Sequence, residues 1–151
     1  MGKTKITPHF TLQEMTTTDY EEFKTSIVKT ANANKEKLTA LCWHLEAIRA
    51  IIGSPLTITS AIRSKELNNA IKGSKTSQHL VVEAADFIPT KKSAIMAFNE
   101  IIESGYPFGQ LILEKRGLGY LIHFGIGDKR QTLFSAKQGK YEPYDVSKVG
   151  A

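Results

Sequence analysis

The sequence predicts an α+β fold with an antiparallel sheet, and three observations predict it. Apolar residues recur at helical spacing through residues 35–52, as Leu38, Leu41, Cys42, Leu45, Ile48, Ile51 and Ile52. Three short strand-like runs, QLILE, YLIHFGI and QTLFSA, follow one another near the end of the chain. Helical patterns come mostly first and adjacent strands last, which is the order of an α+β domain.

Taken in order, Thr11 faces Glu14 three residues on, a capping box that opens a short helix to Met15. Residues 16–33 are polar, so a surface loop is expected, with a weak helical turn around Tyr20 to Val28. Asn34 and Gly53 bound the 35–52 helix as N-cap and C-cap. LTITSAI (56–62) is rich in β-branched residues and predicts a strand. SKELNNAIKG predicts a short helix stopped by Gly73. Residues 81–88 predict a strand carrying Asp86, ended by Pro89-Thr90. A helix is expected over 91–103, with Ala94, Ile95, Phe98, Ile101 and Ile102 on one side and Gly105 as its stop. Strands at 110–114, 120–126 and 131–136 finish the fold, the first two joined by the glycine-bearing turn KRGLG. With no repeat, low-complexity tract or linker, residues 1–151 are expected to form a single domain.

Composition narrows the partners. The 41% apolar and 23% charged content is that of an ordinary globular chain. A net charge of +5 and a pI near 9.3 point to an anionic partner, and nucleic acid, cell-wall polymer and acidic membrane surface all suit the charge alone. The basic residues are scattered rather than massed in one run, so nucleic acid is not expected as the partner. Nor is a membrane, since no run is long and apolar enough to span one. Cys42 is the sole cysteine, which excludes an intrachain disulfide and suggests a small core residue. The start MGKTKITPHF lacks the apolar core of a signal peptide, and Ile6 breaks the myristoylation pattern after Gly2. Synthesis in the cytoplasm is therefore expected.

The segment SQHLVVEAADF (77–87) carries the candidate chemistry. His79 lies seven residues before Asp86, and His123 sits inside YLIHFGI. Two imidazoles and one carboxylate are the ligand set of an open catalytic zinc site. Strand alternation puts Leu121, His123 and Gly125 on one face and Tyr120, Ile122, Phe124 and Ile126 on the other. Asp86 shares a face with Val82, Ala84 and Ile88, where an ionised carboxylate needs a cation or strong donors. By residue type alone, a satisfied structural histidine and an aspartate bonded to backbone N–H groups account for the same pattern.

The motifs add a resemblance. SQHLVVEAADF resembles the S-x-H-x-x-G-x-A-x-D signature of zinc D-Ala-D-Ala carboxypeptidases and phage L-alanyl-D-glutamate endolysins. TITSAIRSKELNNAIKGSKTSQH is similar to that family's strand, Y/F-R-S, x-x-L-N and G-x-x-x-S-x-H pattern. HFTLQEM, FGQLILE, LIHFGI and RQTLFSA resemble its opening and its later strands, in order, over residues 9–137, leaving 138–151 as a C-terminal tail. The resemblance implies a Hedgehog/DD-peptidase fold, with Zn2+ held by His79, Asp86 and His123. It implies that Arg63 binds the substrate carboxylate or the developing oxyanion, for which a guanidinium fork is suited. It implies that Ser77 contacts substrate or orients the site. Two positions depart from the pattern. The motif glycine is Val82, and the acid that many relatives carry three residues before the last histidine is Tyr120. Glu114, which ends QLILE, is the expected general base in its place.

The expected function is hydrolysis of peptidoglycan stem peptides, as a D-Ala-D-Ala carboxypeptidase or an L-Ala-D-Glu endopeptidase. The expected enzyme is phage-derived, reaching the wall after release or within a particle, and adhering to anionic cell-wall polymer. The alternative is a phage virion component that keeps the fold with little or no activity, in contact with other virion proteins, and residues 16–33 offer it a docking surface.

Overall fold

The structure, a computed structural model, describes residues 3–137 and 139–145. Gly2, and residues 138 and 146–151 of the expected tail, lie outside the described residues.

Strands β1 (Lys5–Thr7) and β2 (Phe10–Thr11) pair antiparallel and lead into helix α1 (Leu12–Met15). The capping box forms: Thr11 Oγ1 accepts the Glu14 N–H at 3.1 Å, and Glu14 Oε1 accepts the Thr11 N–H at 3.2 Å. The stretch expected to be a surface loop is more regular than its polarity suggests. A 3-10 turn, Glu21–Phe23, runs into the ten-residue helix α2 (Lys24–Ala33). Ile27 and Ala31, four residues apart and so on one helical face, are fully buried and anchor it. Two apolar positions make too faint a period to read from sequence.

Helix α3 (Lys35–Ile52) has the expected bounds, and Gly53 ends it in the left-handed conformation at φ +62°. Asn34 does not cap it; its amide donates back to the Thr30 carbonyl at 2.8 Å and closes α2 instead. After β3 (Leu56–Ser60), Ser64 Oγ accepts the Leu67 N–H and starts α4 (Lys65–Ala70). Strand β4 (Ala84–Pro89) starts later than expected because residues 77–82 are spent in turns. Helix α5 (Ala94–Ser104) also starts later than residue 91, where Ser93 Oγ takes the Met96 N–H.

The last strands are β5 (Gln110–Arg116), β6 (Gly119–Gly125), β7 (Gln131–Lys137) and β8 (Lys140–Pro143). The final strand takes up part of the segment expected as a tail. Together with β3 and β4 they form a six-stranded sheet in the order β3-β4-β6-β5-β7-β8. The sheet is mixed rather than antiparallel throughout, because β5 and β7 are parallel. Both edges of β6 are already taken by β4 and β5. The chain therefore reverses after β6 and lays β7 on the free edge of β5, in the direction of β5.

Phe87, Leu111, Leu113, Ile122 and Phe124 line one face of the sheet and are fully buried. Helix α5 packs on β4, β5 and β6, and α3 packs on α5. Cys42 lies in this core, where burial pushes its thiol pKa up to about 12 and leaves it inert. The opposite face carries Asp86, His123 and Glu114 and is open to a cleft.

Candidate metal centre

Strand register brings two of the candidate ligands together. Asp86 of β4 lies directly opposite His123 of β6, which in turn lies opposite Ile112 of β5. Side chains opposite one another on adjacent strands stand about 5 Å apart at Cβ, so sheet pairing alone makes this pair meet. The third ligand comes from the turns before β4. The Leu80 N–H bonds to Ser77 O at 3.1 Å, and the Glu83 N–H bonds to Gln78 O at 2.9 Å. Gln78 Nε2 donates to Ile126 O at 2.9 Å and ties these turns to the end of β6. His79 is thereby carried back over Asp86.

Potential ligand atoms of His79, Asp86 and His123 all lie within 4.8 Å of one another. His79 Nε2 is 3.4 Å from Asp86 Oδ1, and His123 Nδ1 is 2.7 Å from the same oxygen. Ligand atoms around a tetrahedral zinc are about 3.3 Å apart, given Zn–N and Zn–O bonds near 2.0–2.1 Å. The spacing therefore suits such an ion with small adjustments. The opposite side of the His79 ring is also set for it. Nδ1 donates to the Ala61 carbonyl at 2.6 Å, so Nε2, the nitrogen turned toward Asp86, is the one available to a metal. A ligating imidazole is commonly fixed by such a bond. The residues present fit a divalent metal with an N₂O donor set.

Electrostatics agree with the geometry. Burial alone would raise the Asp86 pKa, but the charges and hydrogen bonds of His79 and His123 hold it well below the carboxylate range. Burial would lower the His123 pKa, but the hydrogen bond and charge of Asp86 outweigh it, and the net shift is upward.

Glu114 shares the sheet face of His123, one diagonal step away, since Ile112 is opposite His123 and Glu114 opposite Leu121. It is 7% exposed rather than a solvated strand-end charge. Burial and the Asp86 charge push its pKa up, against the opposing pull of Arg116, whose guanidinium donates to Glu114 Oε1. A buried, cleft-lining carboxylate with a raised pKa suits proton transfer. Tyr120 is not in the cleft; it packs near Phe134, their ring centroids 6.4 Å apart, on the core side.

Arg63 follows β3 in a turn held by its own N–H to His79 O at 3.1 Å. Its Nη1 donates to Asn68 Oδ1 at 3.0 Å and to Ser77 Oγ at 3.4 Å. Burial lowers its pKa while the Asp86 and Glu114 charges pull it back up, so it stays a cation facing both. Ser77 Oγ also accepts the His79 N–H at 3.3 Å and so links the arginine to the ligand turn. Val82, at the motif-glycine position, has φ +58° and is fully buried. The left-handed backbone that favours glycine is kept, with a β-branched residue in it.

All six candidate residues thus line one cleft of about 970 Å³. Sequence reasoning missed Asn68, which holds Arg63 from behind the cleft, and the cleft residues Gln78, Tyr141 and 18–20. Asn68 stood inside the quoted x-x-L-N pattern, and that position was the available signal. Nothing local in the sequence pointed to Tyr141.

Comparison with protein families matches residues 8–123 to Peptidase M15. Comparison with curated proteins gives no match.

Proposed function

The chain belongs to the Peptidase M15 family, and on that premise we propose that it is a zinc peptidase hydrolysing peptidoglycan stem peptides. The observation that carries this reading is the convergence of His79, Asp86 and His123, with the His79 tautomer fixed by Ala61. Zinc at these residues would supply Lewis acidity and a water of lowered pKa. The chain's own residues do the rest. A Glu114 carboxylate oxygen takes the proton of the attacking water and returns it to the leaving amine, and its raised pKa favours the return. The Arg63 guanidinium, positioned by Asn68 and Ser77, faces the substrate's negative charge, either a terminal carboxylate or the oxygen of the tetrahedral intermediate.

The two departures lose force as arguments for an inactive virion component. Val82 keeps the left-handed backbone of its position, and Glu114 stands in the cleft that Tyr120 faces away from. Phage origin and action at the wall after release are part of the proposal, and the net charge of +5 suits adhesion to anionic wall polymer. The test is digestion of purified peptidoglycan with zinc or with chelator, and mass spectrometry of the released peptides to assign the bond. Zinc-dependent release is expected, lost in His123→Ala and reduced about 10²–10⁴-fold in Glu114→Gln. Equal release by the wild type and both variants would refute it.

A further inference from the structure

The Peptidase M15 match stops at residue 123, yet the cleft does not. Past residue 123 it is lined by residues 126–129, by Gln131 of β7, and by Gly139 and Tyr141 at β8. Leu133 of β7 lies opposite Ile112 and so shares the sheet face of His123. Tyr141 of β8 itself lines the cleft with Glu114, Arg116 and the three candidate ligands.

Nearby polar groups on that extension are already engaged. Ser135 Oγ donates to Lys137 O at 3.0 Å, and Arg116 is spent on Glu114 and on the Lys115 carbonyl. Among the described residues, none takes a hydrogen bond from the Tyr141 hydroxyl, and the residue is 54% exposed. Burial, then the Glu114 charge, raises its pKa, so the hydroxyl keeps its proton near neutral pH and remains a donor. A phenol offers a flat apolar wall and one donor at its tip, at low entropic cost of ordering.

We propose that Tyr141 is a substrate-binding residue, its ring walling a subsite beyond Glu114 and its hydroxyl donating to a carbonyl or carboxylate of the bound stem peptide. This rests on the peptidase reading for the identity of the ligand. It assigns the C-terminal hairpin, outside the family match, a part in substrate grip rather than in chemistry.

The test separates binding from turnover. Zinc-loaded Glu114→Gln protein is titrated calorimetrically with the synthetic pentapeptide L-Ala-γ-D-Glu-L-Lys-D-Ala-D-Ala, with and without Tyr141→Phe or Tyr141→Ala. Tyr141→Phe is expected to weaken Kd roughly three- to tenfold by loss of one hydrogen bond. Tyr141→Ala is expected to weaken it further, with melting temperatures unchanged. A Kd for Tyr141→Phe equal to that of its parent, or no binding by the parent, overturns the proposal. Tyr141-dependent binding alongside a wild type that releases nothing from peptidoglycan would sink the enzyme reading and leave the subsite standing. Hydrolysis with Tyr141-independent binding would do the reverse.

Discussion

Gly73→Ala tests the support of Arg63. A Cβ at Gly73 would overlap Asn68 Oδ1, sit 2.9 Å from Arg63 Nη1 and lie 3.0 Å from Asn68 Cγ. Asn68 is 3% exposed and has no solvent to swing into. Its amide accepts from Arg63 at 3.0 Å and donates to the Gly73 and Ser74 carbonyls at 3.4 and 3.2 Å. Displacing it forfeits bonds worth about 1 kcal/mol each, roughly 3 kcal/mol in total. The alanine returns about 0.4–1 kcal/mol by restricting the unfolded chain. The net cost is about 2 kcal/mol, or roughly 4–8 °C in Tm for a domain of this length. Arg63, losing its shorter side-chain bond, must be ordered by substrate instead, and kcat/KM should fall about tenfold for an entropy cost near 1.4 kcal/mol. Urea denaturation of both single variants and of Asn68→Ala/Gly73→Ala completes the cycle. In the Asn68→Ala background the overlap with the amide is gone, so the second change should be nearly neutral, giving a coupling of about 1.5 kcal/mol or more. Additivity within about 0.5 kcal/mol would refute the reasoning.

Two further outcomes follow from the same cleft. The folded His123 pKa lies above its ordinary value, so its contribution to stability is full below about pH 6.5 and is lost as pH rises through the folded pKa. Chelated protein should therefore melt lower as pH climbs from about 6 to 8, while protection by added zinc grows, because the metal takes unprotonated imidazoles. Scanning fluorimetry with chelator and with zinc reads both trends, and Asp86→Asn should flatten the first. Val82→Gly removes a left-handed β-branched residue, a relief of about 1–2 kcal/mol. It also forfeits a fully buried side chain worth about 1.5–3 kcal/mol and adds about 0.5–1 kcal/mol of glycine entropy. The variant should be about 1–2 kcal/mol less stable by urea titration, and a more stable variant would show the strain to be the larger effect.

Strong periodicity made much of the fold legible. Helix α3 matched its predicted bounds because seven apolar residues and a terminal glycine all agreed. The face assignment of YLIHFGI held because alternation in a paired strand leaves one choice, with Ile122 and Phe124 fully buried behind His123. What failed was non-local. Helix α2 depends on burying Ile27 and Ala31, a tertiary event. The parallel β5–β7 pair depends on β4 having already claimed an edge of β6, which no window of sequence records. The late start of β4 came from turns that carry His79, where the apolar run LVV imitates a strand. Ligand residue types were visible at once, but the Ala61 carbonyl that fixes the His79 ring was not, since a backbone acceptor leaves no signature in side chains.

Two positions that the motif gives to glycine meet different physical demands here. At residue 73 the demand is space: the buried Asn68 amide oxygen stands where a Cβ would be, and an Arg63 guanidinium nitrogen lies 2.9 Å away. Relieving that overlap costs the Asn68 amide its hydrogen bonds, and glycine is retained. At residue 82 the demand is a backbone angle, φ +58°, and the space beside it is core. A valine there loses a kilocalorie or two to strain and regains about as much or more by burial, so the position tolerates the exchange. The same reasoning applies to the base. A residue three positions before His123 on a regular strand faces the helices, as Tyr120 does. A carboxylate for this cleft must then come from the neighbouring strand, two residues along from the partner of His123, and that position is Glu114.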